Sequence, residues 1–395
     1  MSAQLPLTGI TVISLEQAVA APFATRQLAD LGARVIKIER RGTGDLARTY
    51  EDVVYGQSSY FVWLNRSKQS LTLDLKAPEA GMILTRLLAM ADVLVQNLGP
   101  GAAARLGLGA ATLRDRHPGM IVCDISGYGS TGPWAERKAY DLLAQCETGL
   151  VSITGTETEL AKVGVSIADI AAGMYAFSGI LAALYRRAGT GRGAHLEVAL
   201  FDALAEWMGQ PAYYAKHSGH EPRRVGAQHA SIAPYGPYTA ADSGTVVIAV
   251  QTAAEWRAFC AIFLGEPALS DDPRFARNPE RVTNRAALNE IIGRRFAALT
   301  TAEAIELLDR ATVASARINS VSEFVGHPVL TERDRWRRVS TPGGEISALR
   351  PPFSLDDDEA PMTPVPALGE HNRLILAELG YTSGDIDRLE SAGVI

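Results

Sequence analysis

Ile10-Thr-Val-Ile-Ser-Leu15, the run Ala21-Pro-Phe-Ala-Thr-Arg-Gln-Leu-Ala-Asp-Leu31, and Arg34-Val-Ile-Lys-Ile38 decide the fold. The first is apolar and β-branched, the second reads as a helix, and the third alternates as a strand does. The pattern repeats downstream. Ser70-Leu-Thr-Leu-Asp-Leu75 alternates again, and Pro78 suits the first turn of a helix running to Met90. Residues 92–95, 120–125 and 195–200 complete the strand candidates, most of them followed by helical patterns. Strands separated by helices predict right-handed βαβ crossovers and a parallel sheet covered on both faces. The expected class is α/β, of the doubly wound kind.

The texture changes after residue 220. Ala233-Pro-Tyr-Gly-Pro-Tyr238 leads into a strand at 246–250, and helices are expected at 253–264, 285–298 and 302–310, with 271–284 as loop. A smaller domain is therefore expected at 225–325, after a larger one at 1–224 and before a tail at 326–395. The tail carries Pro342, Gly343, Gly344, Pro351 and Pro352, then an acidic run Asp356-Asp-Asp-Glu359 that reads as a solvated loop. An amphipathic stretch at 372–379 closes it.

The 395 residues suffice for two or three domains at roughly 100–200 residues each. With 47% hydrophobic and 21% charged residues the chain is globular rather than disordered. Asp+Glu number 44 against 38 Lys+Arg, a net charge of −6 without any basic block, so a nucleic-acid partner is not expected. Cys123, Cys146 and Cys260 are scattered and odd in number, which predicts buried free thiols in a reducing cytoplasm. Met1-Ser-Ala-Gln-Leu-Pro6 lacks the basic and apolar regions of a signal peptide. Residues 168–185 are nearly all apolar but open on Asp169, so a buried helix is expected there and not a membrane span.

No His-Glu-x-x-His, Cys-x-x-Cys, Gly-x-Ser-x-Gly or Walker loop occurs, and the seven histidines lack metal-ligand spacing, so no metal centre is expected. Gly127-Tyr-Gly-Ser-Thr-Gly132 has the spacing of a dinucleotide fingerprint. Pro133-Trp134 follows where a helix should continue, and a tight turn is the simpler reading. Arg40, Arg41, Lys76, Arg105 and Lys138 are either solvated charges or, if they converge at the carboxyl ends of strands, contacts for a polyphosphate. Asp169 follows Val163-Gly-Val-Ser-Ile-Ala168 and opens the apolar helix. It is either an N-cap or first-turn aspartate, or a nucleophile at the edge of a dry pocket with Ala171, Ala172 and Gly173 leaving room for substrate.

Several ordered blocks resemble the class III CoA-transferase family, which includes formyl-CoA:oxalate and carnitine CoA-transferases. They are Leu7-Thr-Gly-Ile-Thr-Val12, Leu31-Gly-Ala-Arg-Val-Ile-Lys-Ile-Glu39, Asn65-Arg-Ser-Lys68, Leu73-Asp-Leu-Lys76, Asn97-Leu-Gly-Pro-Gly101, Asp169-Ile-Ala-Ala-Gly-Met174, Thr190-Gly-Arg-Gly193 and Leu368-Gly-Glu-His371. The resemblance implies a Rossmann-like large domain with a parallel sheet, a smaller domain, a return of residues 326–395 to the large domain, and two chains threaded through one another as an interlocked homodimer. It implies that Asp169 is the catalytic carboxylate. Coenzyme A or its thioesters would be substrates, contacted by Ala18, Val19, Arg40, Leu73, Lys76, Asn97, Leu98, Arg105, Lys138 and Tyr140. No prosthetic group and no metal are implied.

The implied cycle exchanges one thioester for another through aspartyl anhydride and aspartyl-CoA intermediates. Oxalate-type members cover the site with a tetraglycine loop. The corresponding Val225-Gly-Ala-Gln-His-Ala-Ser231 lacks it, which makes His229 and Ser231 acceptor-site candidates. The 2-methylacyl-CoA racemase branch carries a His-Asp pair where this sequence has Tyr140-Asp141, and no histidine lies between His117 and His195. The stretches around Gln17, Arg66 and Asp169 resemble the branch acting on C4–C5 dicarboxylates. The expected donor is succinyl-CoA and the expected acceptor itaconate, citramalate or mesaconate, with intramolecular transfer in mesaconyl-CoA as the alternative. Arg48 or Arg66 would clamp the second carboxylate. A non-catalytic CoA-binding protein is the remaining reading.

Overall fold

The computed structural model describes residues 5–356 and 359–395. The first four residues of the N-terminal reading, and Asp357 and Asp358 of the acidic run, lie outside the described residues. The chain forms two units, one of 1–150, 163–210 and 331–395, the other of 151–162 and 211–330.

The larger unit is built on six parallel strands: β1 (Thr11–Leu15), β2 (Arg34–Glu39), β3 (Lys68–Thr72), β4 (Val93–Gln96), β5 (Ile121–Ser126) and β6 (His195–Ala199). Their order across the sheet is 3-2-1-4-5-6. This is the Rossmann order, with its switch point between β1 and β4. Register follows from burial on both faces. Val12 pairs with Val35 and Val93 and all three enter one core, while Ile13, Ile36 and Leu94 pair one residue later and enter the other.

The helix Ala20–Asp30 and the long helix Ile167–Thr190 cover the first face. Ile167–Thr190 is long and apolar enough to cross a membrane by length and composition. Ala168, Ala171, Ala172, Ala176 and Ile180 are nevertheless fully buried in the core of this unit. Gly173 explains how closely it packs. A Cβ there would lie 2.7 Å from the Ala20 carbonyl oxygen and 3.0 Å from the Phe23 ring.

β3 is an edge strand, and the returning tail covers it. His371 donates its amide to the Ser70 carbonyl and accepts the Ser70 amide on Nδ1 at 3.2 Å, while Asn372 accepts the Thr72 amide at 2.8 Å. Edge pairing of this kind removes a site for aggregation. Burial lowers the His371 pKa below its ordinary 6.5, against the pull of Glu370 and with Arg34 adding repulsion. A depressed histidine stabilises the fold above pH 6.5 and loses that contribution as pH falls, because the imidazolium cannot accept the Ser70 amide. The protection factors of the Ser70 and Thr72 amides are therefore expected to fall between pH 7 and 5, and His371→Asn should abolish that fall.

The smaller unit joins an antiparallel sheet, β7 (Tyr235–Thr239), β8 (Thr245–Ala249) and β9 (Ala314–Arg317), to helices around Trp256, Phe259, Phe263 and Phe296. It is wider than 225–325. Arg224 donates to the carbonyls of Ser152, Thr156 and Glu157, which ties 151–162 into this unit. The stretch expected as loop at 271–284 contains the helix Asn278–Thr283, started by Pro279. Among the described residues three tail elements were not foreseen: the short helix Pro328–Glu332, the hairpin of β10 (Trp336–Thr341) and β11 (Gly344–Leu349), and the helix Ser383–Ser391. Gly127–Gly132 is a run of bends leading into a turn at 133–136, and no helix follows it directly. Cys123 and Cys260 are buried free thiols, but Cys146 is exposed, since its helix Asp141–Glu147 buries Ala144 and Gln145 instead.

Candidate active site

In open α/β sheets, ligands gather outside the carboxyl ends of the strands. The ten residues expected at a CoA site all lie on segments leaving those ends in the larger unit. Ala18 and Val19 follow β1, Arg40 follows β2, and Leu73 and Lys76 follow β3. Asn97, Leu98 and Arg105 follow β4, and Lys138 and Tyr140 follow β5. Arg40, Lys76, Arg105 and Lys138 are exposed and make no ion pair among the described residues. Arg41 differs: its Nε donates to the carbonyl of Ile395 at 3.1 Å. The Leu73 side chain is buried in the core, so only its backbone faces this rim.

Asp169 occupies the first turn of Ile167–Thr190 and is partly buried. It is not the cap of that helix. Ser166 holds the cap position without a side-chain bond, and the cap comes from another helix. Asp141 Oδ1 accepts the amides of Ala168 at 2.8 Å and Asp169 at 3.3 Å, and its Oδ2 accepts from Gln145 at 2.7 Å. Asp141 thus fixes the backbone of Asp169 and sets a negative charge beside it. Burial first, and then Asp141, push the Asp169 carboxyl from 3.8 up to about 7. The helix N-terminus alone would have done the opposite. A partly buried carboxyl so perturbed, in the first turn of a core helix, has the signature of a reacting group.

Tyr50, Tyr60 and Tyr140 share this electrostatic neighbourhood. The Tyr50 hydroxyl is raised by burial and by Asp45, Asp169, Tyr140 and Tyr60, and its ring meets that of Tyr60 edge-on at 5.7 Å. The sequence reading missed Asp141 and Tyr50. Asp141 was visible only as the neighbour of Tyr140, and Tyr50 lies in a segment without any motif.

The two arginines expected to clamp a second carboxylate are already engaged. Arg66 is buried with Nε and Nη2 on Asp30 at 3.1 and 2.7 Å. Arg48 grips both oxygens of Glu39 at 2.8 Å and stacks on Phe61 at 3.7 Å. Each guanidinium neutralises a buried carboxylate, so neither is free for substrate. Gln17 remains available: its backbone is bonded, while its carboxamide has no partner among the described residues.

His229 and Ser231 belong to the smaller unit. Ser231 donates its amide to His229 Nδ1 at 3.1 Å, and His229 stacks on Tyr235 at 5.2 Å. Arg285 donates to the carbonyls of His229, Ala230 and Ile232, and Asn278 to that of Ser231. The segment expected to lie over the acceptor is thus pinned by side chains.

Comparison with known proteins agrees with the geometry. The model of CoA-transferase family III matches residues 7–372. Succinyl-CoA:glutarate CoA-transferase of Mus musculus is 35% identical over 399 residues, covering 99% of this chain and 90% of that protein. Succinyl-CoA–D-citramalate CoA-transferase of Chloroflexus aurantiacus is 31% identical, covering 99% and 98%. Among solved structures, a CAIB/BAIF family protein from Brucella suis is 34% identical with a TM-score of 0.84, covering 95% of this chain and 100% of that one. On the strength of the matched fold, length and sequence, the chain belongs to CoA-transferase family III.

Proposed function

We propose that this CoA-transferase moves CoA from succinyl-CoA to a C4–C5 dicarboxylate, with Asp169 as nucleophile. The observation that carries the reading is Asp169, partly buried, its backbone amide held by Asp141 and its carboxyl raised in pKa. Relatives named for succinyl-CoA with glutarate or with D-citramalate support the substrate class. Glutarate therefore joins itaconate, citramalate and mesaconate as a candidate acceptor.

The Asp169 carboxylate attacks the thioester carbonyl of succinyl-CoA, the C–S bond breaks, and CoA leaves as thiolate. The thiolate attacks the aspartyl carbonyl of the resulting anhydride and releases succinate, leaving an aspartyl-CoA thioester. The acceptor carboxylate displaces the thiolate to form a second anhydride, and the thiolate then takes the acceptor acyl group and frees Asp169. A carboxylate raised toward the thiol range (about 8.5 for a free thiol) makes the first exchange less uphill. Each tetrahedral intermediate bears an oxyanion, for which the uncapped first turn of the Ala20–Asp30 helix offers amides.

With both arginines engaged, the phenol groups of Tyr50, Tyr60 and Tyr140 take over the role of hydrogen-bond donors to the distal carboxylate. Tyr50→Phe is expected to raise the acceptor KM about tenfold with little change in the KM for succinyl-CoA, the loss of one hydrogen bond to a charged group. Steady-state kinetics with each substrate varied in turn will read this split. The substrate class itself is tested with succinyl-CoA and a panel of glutarate, itaconate, citramalate, mesaconate, oxalate and carnitine. Preference for oxalate or carnitine would overturn it. The resemblance also supports an interlocked homodimer, to be read by sedimentation velocity, and the scattered, unpaired cysteines suit a cytoplasmic enzyme.

A further inference from the structure

Across the carboxyl ends of β1 and β4, one side chain holds both backbone groups of one residue. Asn97, just after β4, accepts the Gln17 amide on Oδ1 at 2.8 Å and donates from Nδ2 to the Gln17 carbonyl at 2.9 Å. The next residue, Ala18, has φ of +63°, a left-handed conformation unfavourable for any residue with a Cβ. Its amide is held by Asp45 Oδ1 at 2.9 Å. Asp45 is itself buried and fixed, with Lys37 Nζ at 2.5 Å from its other oxygen. Two side chains thus enforce a turn the backbone would not choose, and the Gln17 carboxamide is left unbonded among the described residues.

The turn feeds directly into the helix under the nucleophile. Two residues on, the Ala20 carbonyl sits against Gly173, one helical turn beyond Asp169 and on the same helix face. Strained backbone persists where the surroundings over-determine it, and such places cluster at reacting sites.

We propose that Asn97 and Asp45 are positioning residues, which hold Gln17-Ala18-Val19 in its left-handed turn and so present the Gln17 carboxamide to substrate beside Asp169. Asn97 then acts on the reaction through Gln17, with one Nδ2–H and one Oδ1 lone pair committed to that backbone. The proposal rests on the CoA-transfer reading above.

The test is a glycine rescue. Asn97→Ala frees the turn, and Ala18 relaxes out of the left-handed region. With succinyl-CoA and glutarate, kcat is expected to fall about 10²-fold, the cost of displacing a substrate-orienting group by an ångström. The KM for succinyl-CoA should change little. Adding Ala18→Gly to Asn97→Ala should recover about tenfold in kcat, because glycine enters the left-handed region without penalty. Amide exchange at Gln17 and Ala18 should accelerate in Asn97→Ala without substrate, and Asp45→Asn should accelerate Ala18 more than Gln17. A loss confined to the KM for succinyl-CoA, or no gain from glycine, would overturn the proposal, as would unchanged exchange at both amides. Wild-type protein that transfers CoA to no acceptor would instead sink the functional reading, and the exchange data would then decide the clamp alone.

Discussion

Asp169→Asn is expected to abolish CoA transfer, by about 10⁴-fold or more, as removal of a covalent nucleophile does. Hydroxylamine added during turnover with succinyl-CoA should convert Asp169 to its hydroxamate in the wild type, readable by peptide mass. An unlabelled Asp169 together with full turnover in the asparagine variant would end the mechanism. The pH profile follows from the raised carboxyl. Only the carboxylate attacks, so kcat/KM should rise with pH through about 7 and level off above it. Asp141→Asn removes the second cause of the shift, and the rising limb should move to lower pH while burial keeps it above the ordinary 3.8.

Stability should respond in the opposite sense. A carboxyl raised in the folded state binds a proton that the unfolded chain has already lost. Its contribution is complete below pH 3.8 and is lost as pH rises through 7. At pH 8 the wild type holds an uncompensated buried charge, and Asp169→Asn should be the more stable protein by a few kcal/mol, on the order set by the shift. At pH 5 that advantage should largely vanish. Urea unfolding at the two pH values measures it. A variant inactive yet more stable at pH 8 is the outcome that separates a reacting group from a structural cap.

The parallel sheet was legible because both faces are buried. β1, β2 and β4 are short apolar runs or alternations of the expected length, and the predicted strands match the observed ones to within a few residues. The hairpin at 336–349 was hidden because Trp336-Arg-Arg-Val-Ser-Thr341 carries little apolar alternation, and Pro342-Gly343 reads as irregular tail. Asp169 stood out as the charge at the head of an apolar helix. What periodicity could not show was side-chain partnership across the chain. Arg48 and Arg66 looked like free clamps until Glu39 and Asp30 were found on them. Asp141 looked like a neighbour of Tyr140 until its oxygens met a helix start 27 residues away.

The same limitation hid a buried ionic cluster, whose disruption should be the most destabilising single change. Lys37 is fully buried, with Nζ 2.5 Å from Asp45, 3.1 Å from Asn65 and 3.4 Å from Glu16. Lys68 shares Glu16 at 2.7 Å, and Thr25 donates to the other Glu16 oxygen at 2.6 Å. Burial works against the charges of Glu16, Lys37 and Lys68, yet Lys68 and Lys37 hold Glu16 below the usual carboxylate range. Arg48, then Lys37, hold Glu39 down to about 2 despite its burial. These carboxylates stabilise the fold above pH 4.5, and that contribution is lost as pH falls toward 2. Lys37→Met keeps the volume and removes the charge, leaving Asp45 unpaired in the interior. Breaking a buried pair from one side costs about 3–5 kcal/mol, which urea unfolding at pH 7 will register. Adding Asp45→Asn to Lys37→Met should return part of that loss, since the stranded charge is then gone. It should not return kcat, because the weakened cluster no longer fixes the Ala18 amide. Recovery of stability without recovery of rate would show that this cluster is kept for the turn it holds and not for the stability it adds.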